Sequence, residues 1–202
     1  MPGLVKSVRS GDVRRVQVAE AAIRILARKG ARGLTHRAVD SELGFPQGSA
    51  SHYYGTRLDL LIATFKRKVE LDLADMQWMS ELAGGRLGPI NSNRLADNLT
   101  ATIFKWISPE NRWRSLAGCE LAIAATRQED LKETMAASKE EFLQRLTILF
   151  QLLNAKHPAQ AAATCQGFLM GVLYGYMTEW NLFTMKQMKA VTRTFIATLC
   201  GF

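Results

Sequence analysis

The chain has 202 residues, 48% hydrophobic and 22% charged, with 26 lysines and arginines against 18 acids for a net charge of +8. Those values exclude a disordered chain, and the length suits one compact domain, or a small domain joined to a larger one, without covalent staples. Cys119, Cys165 and Cys200 are too few and too widely spaced for a disulfide framework or a zinc cluster, no apolar core follows the basic N-terminal residues, and the longest apolar run, 167–178, is too short to span a membrane. The expectation is a cytoplasmic protein with no metal site, no cofactor and no membrane partner.

The charge is unevenly spread. Residues 1–57 hold ten basic and four acidic side chains, a net +6, whereas the whole remainder carries +2. Such asymmetry is the electrostatic footprint of a module that meets a polyanion, although a basic face that only solubilises gives the same figure.

Every testable segment has helical spacing and none alternates with period two, so the predicted fold is all-α with about nine helices. Val16, Ala19, Ile23 and Leu26 mark a first helix, with Asp12 as N-cap and Gly30 as its stop. Thr35 caps a short second helix whose Ala38, Val39 and Leu43 face inward before Gly44 ends it. Pro46 opens a third short helix reaching about Tyr54. A long fourth helix carries Leu61, Phe65, Val69, Leu73 and Met76 on one stripe. The Gly/Pro-rich run at 83–89 is the clearest breaker. Beyond it, Leu95 to Trp106, Trp113 to Arg127, and Phe142 to Leu153 each have helical spacing. Two final helices carry Phe168, Leu169, Val172 and Leu173, then Met188, Val191, Phe195, Ile196 and Leu199.

Helix two, the turn Gly44-Phe45-Pro46-Gln47 and helix three form a helix-turn-helix unit braced by helix one. Over about residues 13–62 this stretch resembles the TetR family of transcriptional regulators. The shared marks are the Ala21-Ala22 pair, the Gly30 to Thr35 link, Gly44, Gly48, Tyr53-Tyr54, and Arg57 with Leu60 three residues on. The resemblance implies an N-terminal DNA-binding domain over 1–57 and a helical effector-binding and dimerisation domain over 58–202. It also implies which positions face DNA. Thr35, Tyr53 and Arg57 would grip phosphates, with Thr35 helped by the helix dipole. Arg37 would reach a base edge, where arginine pairs best with guanine. Gln47, Ser49, Ser51 and His52 would lie on or near the groove face, Gly48 would allow close approach, and His36 joins the set.

The chain departs from the family in having Ser51 where tyrosine is usual, Tyr54 for phenylalanine and Arg57 for lysine. The second exchange keeps a core role and adds a hydroxyl to satisfy; the third keeps the phosphate contact. Other readings stand beside these. Phe45, Leu43, Tyr54 and Leu60 read as core, His52 as a solvated helix residue, and His36 with Asp40 as a surface pair.

In the second half, the segment GCELAIAATRQEDLKE beginning at Gly118 is similar to one recurring in these regulators. By resemblance an effector cavity lies here, with Met76, Trp78, Phe104, Trp106, Trp113 and Cys119 as candidate linings, each of which also reads as plain core. Gly167, Gly171 and Gly175 recur at i, i+4 and i+8, a smooth strip for close helix packing. Phe168, Gly171, Val172, Gly175, Phe195 and Leu199 are the candidate dimer contacts, and packing within one chain explains the strip equally well. The expected function is a homodimeric regulator that binds a pseudo-palindromic double-stranded DNA operator, a repressor released by an unknown small molecule. The alternative is a helical sensor or carrier with a vestigial helix-turn-helix. No Gly-rich phosphate loop, metal-ligand spacing or nucleophile–base pair supports an enzyme.

Overall fold

A computed structural model describes residues 10–180 and 183–201, and among them it contains ten α-helices and no strand. They cluster into two compact units, Met1–Val69 with Leu116–Lys132, and Glu70–Ser115 with Glu133–Phe202. Lys6 and Arg9, counted in the basic charge, lie outside the described residues.

In the first unit, α1 (Ser10–Gly33) buries Val18, Ala19, Ala21, Ala22, Ile23, Ile25 and Leu26. Val16, expected on that face, is exposed instead, and Asp12 sits inside the first turn rather than capping it. The helix breaks at Gly30, whose φ of 66° and ψ of 179° suit glycine alone, and one further turn follows. Thr35 caps α2 (His36–Leu43) by accepting from the Ala38 amide at 3.1 Å, and Gly44 ends it in the left-handed region. The third helix, α3 (Ser49–Tyr53), starts later than the sequence suggested, because Pro46 and Gln47 belong to the turn. Next comes α4 (Arg57–Asp75), opened by a reciprocal cap: Asp59 accepts from the Thr56 amide at 2.9 Å, and its own amide donates to the Thr56 hydroxyl at 3.0 Å. The Thr56 hydroxyl and amide hold the Asp59 carboxyl below its ordinary pKa. Arg67 reaches Glu20 at 2.6 Å and ties α4 to α1.

The tenth helix, beyond the nine expected, is α5 (Trp78–Ala83), because the α4 stripe stops at Asp75 and Met76 falls in the connection. In the second unit α6 (Ser92–Ile107), α9 (Pro158–Met177) and α10 (Met185–Cys200) pack with the later part of α8 (Glu129–Leu152) around Leu95, Ile103, Phe150, Leu173, Met188 and Ile196. Asp97 of α6 receives Arg193 of α10 at 2.8 and 2.7 Å and Lys189 at 2.9 Å, which fixes the register of that pair.

A second polar knot lies at the end of α4. Arg114, in the first turn of α7 (Arg112–Ala125), is 6% exposed and pairs with Asp75, which also accepts from Trp106 at 3.0 Å and Lys105 at 2.6 Å. Burial pushes the Asp75 carboxyl up, but the bonds from Lys105, Arg114 and Trp106 outweigh it and hold the group below its unperturbed 3.8. A depressed folded-state pKa means stabilisation that is complete above 3.8 and is lost as pH falls through the lower folded value. The thermal midpoint of Asp75→Asn should therefore fall less than that of the wild type on acidification from about pH 5 to 3. Equal acid sensitivity of the two proteins would remove Asp75 from this role.

Candidate nucleic-acid interface

The candidate surface is built on α2, the turn after it and α3. A five-residue helix cannot hold itself, so the support of α3 comes from elsewhere. Asp40 on α2 is 3% exposed; one carboxylate oxygen accepts from the Gly48 amide and the other from the Ala50 amide, each at 2.8 Å. An aspartate eight residues upstream thus caps α3, replacing the side-chain cap that Gly48 cannot give. Gly48 has a φ of 94°, so glycine is needed there for backbone conformation alone. His36 does not pair with Asp40. Its Nε2 donates to the Tyr54 carbonyl at 2.6 Å, tying the start of α2 to the end of α3.

On this frame Thr35, Arg37, Gln47, Gly48, Ser51, His52 and Arg57 are exposed, while His36, Ser49 and Tyr53 are half-buried. The Ser49 hydroxyl donates to the Pro46 carbonyl at 2.7 Å and that of Ser51 to the Gly48 carbonyl at 2.9 Å, so both oxygens keep lone pairs for an outside donor. Thr35 keeps its O–H, since its oxygen only accepts from Ala38. Arg57 donates to the Leu34 carbonyl at 3.3 Å and to the Ala31 carbonyl, which occupies two of the five guanidinium donors and makes the residue a clamp on the α1–α2 link. The Tyr54 hydroxyl finds the Arg15 carbonyl at 3.2 Å.

Two arginines not singled out from the sequence belong to the same surface. Arg14 lies 5.8 Å from the centre of the Phe45 ring and Arg15 lies 5.9 Å from that of Tyr53. Arg14, Phe45, Gln47, Gly48, Ser49, His52 and Tyr53 line a shallow concavity of about 320 Å³. The arrangement offers cations, rotatable hydroxyls and an amide around one hollow, a set suited to phosphate oxygens and base edges.

The candidate effector linings divide differently. Met76 is buried in the second unit's core and Trp78, Phe104 and Trp106 pack on it, whereas Trp113 lies outside that cluster and Cys119 falls in the first unit. Trp78 donates to Thr102 at 3.0 Å, Trp106 to Asp75 and Trp113 to the Glu110 carbonyl at 2.7 Å. Among the described residues no set of three metal-binding side chains converges, and no helix is long and apolar enough to cross a membrane.

Of the candidate dimer contacts, Val172 and Gly175 are buried within one chain, and Phe168 stacks on Phe195 at 4.3 Å between ring centres, with Leu199 on the same core. The exposed face of α9 lies to one side of them. It carries Gly167, Met170, Gly171 and Tyr174 at i, i+3, i+4 and i+7, with Met170 half-exposed and nothing within 4 Å of a side chain added at either glycine.

Residues 91–201, more than half of the chain, match the family profile described as Tetracyclin repressor-like, C-terminal domain. The chain belongs to the TetR family of transcriptional regulators. Its fold agrees with solved TetR-type structures along nearly its whole length. A TetR-family member from Streptomyces coelicolor A3 is 23% identical with a TM-score of 0.70, covering 90% of this chain and 97% of that one. The multidrug binding protein EbrR, complexed with imidazole, is 22% identical over 96% of each chain with a TM-score of 0.69. A regulator from Saccharomonospora viridis in complex with choline is 15% identical with a TM-score of 0.74, covering 91% and 95%. No curated protein matches.

Proposed function

We propose that this TetR-family regulator is a homodimeric cytoplasmic repressor, without enzymatic activity, that reads a pseudo-palindromic operator through residues 1–57 and is released by a small molecule bound within 58–202. The observation that carries the reading is the cluster of Arg14, Gln47, Ser49, His52 and Tyr53 around one hollow, with Thr35 and Arg37 exposed at the start of α2. Thr35, Tyr53 and the α1 arginines hold phosphates, and Arg37 reads a base edge. Ser49 and Ser51, with hydroxyl protons committed to the turn, act as acceptors toward base amino groups. The exposed α9 stripe supports pairing of two protomers, because each Gly lets the facing helix approach closely.

Relatives of the same fold complexed with choline, or with ethidium in the case of EbrR, support a small organic effector. The effector acts by binding one protomer spacing better than the other, which lowers the fraction of dimers that fits DNA.

Arg37→Ala tests the base contact. It should weaken binding by about 1 to 3 kcal/mol and abolish preference at one position of each half-site, while the other positions keep theirs. Binding measured on duplexes substituted base by base decides it; the same preference at every position in both proteins sinks the assignment.

A further inference from the structure

One carboxylate from far along the chain reaches the link that leads into the helix-turn-helix. Glu120, on the part of α7 that belongs to the first unit, accepts a hydrogen bond from the Ala31 amide at 2.8 Å. That amide follows Gly30, where α1 breaks, and a side chain added at Gly30 would sit 3.1 Å from the same carboxylate oxygen. The Ala31 carbonyl accepts from Arg57, which also holds the Leu34 carbonyl next to the Thr35 cap. The link that leads into α2 is therefore held at both the N–H and the C=O of one residue, Ala31, by charged groups remote in sequence. This part of α7 has little freedom of its own, because Ala117 and Leu121 are fully buried.

We propose that Glu120 is a positioning residue for DNA reading, fixing through Ala31 the link that sets Thr35 and Arg37 at the start of α2. The inference rests on the DNA-reading function proposed above. Electrostatics gives it a sharp sign. Removing an acid from a protein that binds a polyanion raises affinity, so a loss of affinity in Glu120→Ala runs against the charge change and reports geometry.

The test uses the full chain, a duplex recovered by selection from a random pool, and an unrelated duplex of the same length at the same salt. Glu120→Ala should bind the selected duplex about tenfold more weakly, the scale of one charged hydrogen bond, and the unrelated duplex no more weakly than the wild type does. Glu120→Gln, whose amide oxygen still accepts from Ala31, should restore selected-site binding to within about twofold. Far-UV circular dichroism melts of the three proteins separate misfolding from mispositioning. Selected-site affinity that is unchanged in Glu120→Ala overturns this inference alone, and so does a loss shared equally by both variants or both duplexes. A wild-type protein that enriches no duplex overturns the DNA-reading function along with it.

Discussion

Asp40→Ala should lose DNA binding altogether while the second unit stays folded. The side chain is almost wholly buried, yet its charge faces amide N–H groups rather than a cation. Its removal leaves the amides of Gly48 and Ala50 without their acceptor, and Ala50 is fully buried, so water cannot reach it readily. The buried Ala50 donor alone costs about 1 to 3 kcal/mol, the lost Gly48 bond adds to it, and a five-residue helix has no internal reserve to offset them, so a local destabilisation of about 3 kcal/mol is expected. Hydrogen exchange at 48–54 should then speed up by about 100-fold, with exchange in α9 unchanged. Asp40→Asn keeps one acceptor oxygen but turns an amino group toward the other amide, and should fall between the two. Unchanged exchange at 48–54 in Asp40→Ala would show that α3 is held by something else.

Placing carboxylates on the exposed α9 stripe should have the second large effect. Met170 and Tyr174 are 50% and 55% exposed in the single chain, so Met170→Glu with Tyr174→Glu removes no core contact. In a paired interface the same two changes bury four unpaired charges across the two-fold axis. The protein should elute as a folded monomer by light scattering, with its helical content kept. Operator affinity should fall about 100-fold or more, since one reader alone forfeits the gain from simultaneous engagement of two half-sites. Gly171→Leu is a milder form of the test, because the single chain has room for the side chain. A dimer that survives both sets of changes pairs through another surface.

These two cases also mark where sequence pattern ends. The all-helical architecture was legible because apolar spacing, glycine stops and threonine caps are local signals, and Thr35, Gly30 and Gly44 act as their types dictate. Asp40 was not legible. At i+4 from His36 it has the spacing of a surface pair, and only the turn of the chain at 44–48 brings its carboxylate to the start of α3. Arg14 and Arg15 contributed to a charge total but showed no target until Phe45 and Tyr53 came beside them. On α9 the recurrence of Gly167, Gly171 and Gly175 drew attention to a strip that the fold divides: the first two are exposed and the third is buried, a difference set by the neighbouring helices. Short α5 escaped because a break at Met76 leaves the apolar stripe nearly in phase.

Selection of bound duplexes from a random DNA pool by the full-length protein tests the central claim most directly. A two-fold reader predicts enrichment of an inverted repeat with half-sites about one helical turn, roughly 34 to 36 Å, or more apart. Affinity for that duplex should drop steeply as salt rises, because the α1 arginines neutralise phosphates and release their counterions. No enrichment over the starting pool, or binding indifferent to salt, would contradict the account.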